Sequence, residues 1–79
     1  MPYQPFEETA VKLSARNVLP ATVKSVKPGA VDSEVTVELA PGLEIVAIIT
    51  KESAEKLGLR SGGKAYAIIK ASNVMIGVD

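Results

Sequence analysis

The sequence predicts an all-β fold, a small five-stranded barrel with one short helix between strands three and four. Three observations carry this. The chain is 47% hydrophobic but only 4% aromatic. Its apolar mass is therefore Val, Ile, Leu and Ala, which build sheets and flat interfaces rather than stacking platforms. Two Pro-Gly pairs, Pro28-Gly29 and Pro41-Gly42, separate runs that read as strands. Only the stretch from Thr50 to Gly58 reads as helix.

Seventy-nine residues make one domain. A single core of that size supplies only about 3–5 kcal/mol, so such folds usually need disulfides, a metal or partner subunits. With no cysteine there is no disulfide, and with no histidine either the chain lacks the usual zinc ligands, so no metal is expected to be held directly by protein side chains. A good core, oligomerisation, or both must serve instead.

Residues 1–13 differ from the rest, with two prolines, Tyr3, Phe6 and the adjacent Glu7 and Glu8. They are expected to lie outside the barrel, mobile or draped on a neighbour, leaving 14–79 as the single domain. Strand one should run from Val18 to Lys27, with Pro20 marking an edge or a bulge near its start. Lys27-Pro28-Gly29-Ala30 should turn the chain, Pro fixing φ and Gly taking the positive one. In strand two, Val31 to Leu39, the residues Val35, Val37 and Leu39 point one way, and Asp32, Glu34, Thr36 and Glu38 point to water. Ala40-Pro41-Gly42-Leu43 then closes a hairpin with strand three, Glu44 to Thr50.

Strand three does not alternate, because Ile45-Val46-Ala47-Ile48-Ile49 is apolar on both faces. Strand four, Ala65 to Lys70, repeats this through Ala65-Tyr66-Ala67-Ile68-Ile69, and Val74 to Val78 completes the set as strand five. So short a chain cannot cover both faces with its own helices, so the second apolar face must meet another subunit. In the helix, Thr50 is the N-cap, Glu52 favours the first turn, and Gly58 ends it. The order β-β-β-α-β-β fits a barrel of the OB type.

Nine basic residues balance nine acidic ones, which leaves no general field to attract polyanions. No apolar run approaches the ~20 residues of a membrane span, so no membrane partner is expected. The N-terminus has neither the basic start nor the apolar stretch of a secretory signal, and a cytoplasmic location is the expectation.

Ser14-Ala15-Arg16-Asn17, Thr50-Lys51-Glu52-Ser53 and Lys70-Ala71-Ser72 occur in this order, with Leu57-Gly58-Leu59 and Val74-Met75-Ile76-Gly77 between and after them. Together they resemble the molbindin (Mop) family, over Ser14 to about Val78. The resemblance implies a homo-oligomer, a hexamer built as a trimer of dimers, that binds molybdate or tungstate between subunits and carries no cofactor. It implies an oxyanion site formed by Ser14, Ala15, Arg16, Asn17, Thr50, Ser53, Lys70 and Ala71. For the further sites on the threefold axis that it implies, the turn Gly29, Ala30 and Val31 is the candidate.

These residue types suit such a ligand. Molybdate at neutral pH is a tetrahedral dianion without a proton to donate, so a selective shell presents donors alone. Phosphate usually carries a proton and wants an acceptor. Hydroxyls of Ser and Thr, the charges of Arg and Lys, and backbone N–H groups meet that demand. Each segment also has an ordinary reading. Ser14 to Asn17 could simply shape an entry turn around a solvated Arg16. Thr50 could satisfy the first helical N–H groups by itself, and Glu52 would repel a dianion unless it points away. Lys70 could guard a strand end.

Three other functions compete. Catalysis lacks the usual nucleophile–base pairs, since there is neither Cys nor His. A nucleic-acid-binding OB module needs a basic groove with exposed aromatics, and the barrel holds one aromatic, Tyr66. An oligomerisation unit with a decayed anion site stays open until a ligand is titrated.

Overall fold

β1 (Asn17–Pro28) is the spine of the protein, because both of its neighbours hang from different halves of it. The computed structural model describes residues 14–79, and the extension expected over 1–13 lies outside them. The other elements are β2 (Asp32–Ala40), β3 (Leu43–Thr50), the helix α1 (Lys51–Leu57), β4 (Lys64–Ile69) and a 3-10 turn over Ala71–Asn73. The strands form one curled antiparallel sheet in the order β3-β2-β1-β4. From Asn17 to Thr22, β1 pairs with β4; from Thr22 to Pro28 it pairs with β2.

Pro20 sits in the half of β1 that β2 does not reach, so its missing N–H disrupts no ladder on that side. Pro20 thus marks an open edge, as expected for one of its two readings. The bulge lies elsewhere, at Lys24, between the pairs Val23↔Val37 and Ser25↔Thr36. One extra residue shifts the side-chain phase by one. Ala21 and Val23 face the core before it, and Val26 rather than Ser25 packs there after it. The loop before β4 secures the bulge: Val23 N donates to the Gly63 carbonyl and Gly62 N to the Val23 carbonyl, each at 2.8 Å. The Ser61 hydroxyl donates to the Lys24 carbonyl at 3.0 Å. The backbone groups that a bulge takes out of the ladder are thereby satisfied.

The core is small: Ala21, Val23, Val35 and Val37, with Val26, Leu39, Ile45, Ile49, Leu59, Ala65 and Ala67 packed around it. Val23 is its centre at 1% exposure. In β3, Ile45 and Ile49 face this core, while Val46 and Ile48 on the other face remain 55% and 64% exposed. The two-faced apolar pattern of the sequence is real, and one face is uncovered in a single chain.

Two turns join β1 to β2 and β2 to β3, and they work differently. Gly42 has φ +80, as a type II turn after Pro41 requires. Gly29 does not take the positive φ expected of it. It is needed for close approach, since its N–H donates to the Asp32 carbonyl at 2.7 Å and a Cβ would meet that oxygen at 2.9 Å. α1 follows the sequence reading, with Thr50 as N-cap and Gly58 as a left-handed C-cap.

The fifth strand is the main departure. Among the described residues there are four strands, and after Ala71–Asn73 the chain runs on from 74 to 79 without pairing. Met75, Ile76 and Val78 are 91%, 88% and 93% exposed. An apolar run favours a strand only where an edge is available to pair with. The 3-10 turn takes the segment off the line of β4, so the sheet stays open rather than closing into a barrel.

Candidate functional site

Ser14 to Asn17 form the entry to β1, and Asn17 pairs with Ile69, the last residue of β4. Lys70 and Ala71 follow immediately. The structure thus brings the first and last of the predicted segments together. Asn17 Nδ2 donates to the Ile69 carbonyl at 3.0 Å across this junction. Asn73 N donates to the Lys70 carbonyl at 2.8 Å, which folds the chain after Lys70 into the 3-10 turn. Ser14, Arg16, Lys70 and Ala71 are exposed, and Ala15 and Asn17 are half-buried.

The charge of this end is one-sided. Arg16 and Lys70 are its cations, and neither 14–20 nor 65–78 contains an Asp or a Glu. An anion approaching here meets two positive charges and hydroxyl and amide donors without a carboxylate from the same segments.

Thr50 and Ser53 belong to a different end. Thr50 pairs with Asp32, next to the corner where β1 finishes at the pair Pro28↔Ser33. Eleven steps of β1 separate Pro28 from Asn17, about 36 Å of strand at roughly 3.3 Å per residue. Even a strand bent through a right angle keeps its ends about 25 Å apart. One tetrahedral oxyanion cannot touch both groups of the same chain.

At that corner the Thr50 hydroxyl accepts from Ser53 N at 3.0 Å and donates to Ser53 Oγ at 2.8 Å. The cap is therefore satisfied internally, and the hydrogen of the Ser53 hydroxyl is left to donate elsewhere. Glu52 points along the helix to Lys56, with Oε2 and Nζ 3.6 Å apart, which draws its carboxylate away from the first turn. Asp32 opposite Thr50 is an acceptor beside these donors. An oxyanion there needs cationic help from Lys51 or from another chain. The turn Gly29, Ala30 and Val31 adjoins the same corner, because Lys51 N donates to the Val31 carbonyl at 2.8 Å. The predicted second site thus neighbours Thr50 and Ser53. Lys51 lies between Thr50 and Ser53 in the chain and is the cation nearest to them in sequence. Its closeness to the turn depends on the register of β2 against β3.

Two surface depressions lie apart from Arg16 and Lys70. One of about 450 Å³ is bordered by Val26, Ser33, Lys51, Ala54 and Leu59. The other, about 300 Å³, runs past Pro20, Thr22, Glu38, Lys64 and Tyr66. Among the described residues no group of three or more His, Cys, Asp or Glu is placed to hold a metal ion. No helix among them is long and apolar enough to cross a membrane.

Comparison with known proteins is consistent in all directions. The TOBE domain matches residues 13–76. Over 66 residues the chain is 41% identical to the molybdenum-pterin-binding protein 1 of Clostridium pasteurianum, covering 84% of this chain and 97% of that protein. A molybdate-binding protein from Sporomusa ovata superposes with a TM-score of 0.80 at 37% identity, covering 86% of this chain and 100% of the other. The cytoplasmic molybdate-binding protein ModG, solved with molybdate bound, gives a TM-score of 0.85 at 50% identity. That match covers 91% of this chain and 51% of ModG.

Proposed function

The chain belongs to the TOBE domain family, and from that premise we propose that it binds molybdate or tungstate at interfaces between copies of itself. The observation that carries this is the junction of Asn17 with Ile69, which draws together the segments of Arg16 and Lys70, with no acidic residue in 14–20 or 65–78. The relatives are binding proteins rather than enzymes, and the chain acts as a store or buffer without a catalytic step.

The interface location follows from two supports. Ser14–Asn17 and Lys70–Ala71 lie far from Thr50 and Ser53 within a chain, so one ligand that uses both groups draws them from different chains. The apolar surface of Val46, Ile48, Ile68 and the segment 74–78 also asks for cover. Each such side chain is worth about 1.5–3 kcal/mol when fully buried. A hexamer, a trimer of dimers, accommodates this, and the segment 74–78 supplies the missing fifth strand in it by pairing with an open edge of another copy. A cytoplasmic protein of this kind releases oxyanion as its free concentration falls.

Selectivity comes from a shell rich in donors, with the acceptor Asp32 at its margin beside Thr50. Ser14 and Ser53 hydroxyls, the N–H groups around Ala15 and Ala71, and the charges of Arg16 and Lys70 all donate. Isothermal titration with molybdate, tungstate, sulfate and phosphate is the test. Tight binding of the first two, weak binding of sulfate and almost none of phosphate are expected. Heats near zero for molybdate and tungstate would leave a bare oligomerisation unit and overturn the reading.

A further inference from the structure

We propose that Asn17 is a positioning residue of the oxyanion site, holding Lys70 in place beside Arg16 without touching the ligand itself. The inference rests on the oxyanion reading above.

Asn17 and Ile69 form the last pair of the β1–β4 ladder. Beyond them, among the described residues, the two segments have no strand pairing to keep them together, and ladder ends fray. The side-chain bond from Asn17 Nδ2 to the Ile69 carbonyl, 3.0 Å long and half-buried, spans 52 residues of sequence at that point. It fixes the carbonyl of the residue directly before Lys70. Among the described residues the 3-10 turn after Lys70 makes no hydrogen bond across the gap: the Lys70 carbonyl is engaged by Asn73 N within the turn, and the turn has no side-chain cap. Asn17 is thus the strap that sets where the Lys70 backbone starts, next to the segment that carries Arg16.

The chemistry of the amide favours this role over contact. A carbonyl partner requires the nitrogen of Asn17 to face Ile69, so the orientation of the amide is settled by its bond. The rest of the polar head is Oδ1 and a second N–H. A dianion without a proton has nothing to offer the oxygen, which leaves that one N–H as the only means of contact. The bond to Ile69 turns its nitrogen toward the β1–β4 ladder. Arg16 and Lys70 carry long, flexible stems and depend on fixed backbones for their reach.

The test is a double-mutant cycle read by titration with molybdate on the full chain, with the melting temperature of the ligand-free protein recorded for each variant. Asn17→Ala alone is expected to lower affinity about tenfold, the effect of one lost hydrogen bond. In the Lys70→Ala background the same change should cost no more than about twofold, because what Asn17 positions is gone. Asn17→Ser keeps a donor and should recover part of the loss; it replaces the alanine variant in the cycle if that one does not fold. Full additivity of the two changes would indicate direct contact and overturn the positioning role. A lowered melting temperature with unchanged affinity would overturn it in favour of a merely structural one. A parent that does not bind molybdate would instead defeat the oxyanion reading, and this role with it.

Discussion

Lys70 offers the sharpest single-residue test of the site. It is exposed at the end of β4, so its alanine variant should fold like the parent. Removing a charge-assisted bond to a desolvated dianion costs about 1.5–3 kcal/mol, which titration should register as roughly ten- to hundredfold weaker binding. Unchanged affinity would make Lys70 an ordinary strand end. Gly29 makes a prediction about stability instead. A methyl group there would lie 2.9 Å from the Asp32 carbonyl, and crowding of that kind costs about 1–3 kcal/mol. Gly29→Ala should lower the melting temperature, as thermal melts of the variant and the parent would record. At this scale the sequence is informative about residue types and poor about partners. Ser, Arg, Thr and Lys declare donor chemistry by themselves. That the Asn17 amide spends its nitrogen on Ile69 depends on a pairing 52 residues away, which no local pattern encodes.

At the scale of elements, the bulge in β1 decides how the sheet is tied. It leaves Lys24 exposed, and Lys24 bonds to Glu44 of β3 across the intervening β2. The hydrogen bond and charge of Glu44, helped by Glu38, raise the lysine above its ordinary 10.5. A raised lysine stabilises the folded state fully below its unfolded value, and that contribution is lost as pH climbs through the folded value. Stability should therefore show a shallow decline in the alkaline range above 10.5. Lys24→Met should remove this pH dependence, as thermal melts across the range would record. The pair is exposed to solvent, so the effect is small and fades with salt. The hairpin of β2 and β3 and the capped helix were legible because each carries a local signal: alternation, Pro-Gly, an N-cap threonine and a terminal glycine. The bulge was not legible, since Val23-Lys24-Ser25-Val26 fits a regular strand equally well. The segment 74–78 has strand composition, but pairing is a property of two segments, and one chain supplies no partner for it.

As a whole, a single copy of the chain has unfinished surfaces. β3 and β4 are the edges of the sheet, and apolar side chains line β3 and the segment beyond Asn73. Light scattering at micromolar concentration should return a hexamer, and removal of residues 74–79 should return smaller species. A monomer for the full chain would contradict both the assembly and its shared sites. Because the proposed site lies between chains, occupancy should hold the proposed assembly together. A ligand at 100 times its dissociation constant adds about 2.7 kcal/mol per independent site. Molybdate and tungstate should raise the melting temperature markedly, sulfate weakly and phosphate hardly at all, at matched ionic strength; equal shifts would mean generic screening. The exposed end of the chain has a chemical consequence as well. Met75 is 91% exposed in the lone protomer, so its thioether is open to peroxide there and shielded wherever the segment docks. Oxidation to the sulfoxide converts an apolar side chain into a polar one, which opposes docking. Peroxide should therefore mark dissociated protomers and keep them apart, and a reductase that restores the thioether would return them to the pool able to assemble.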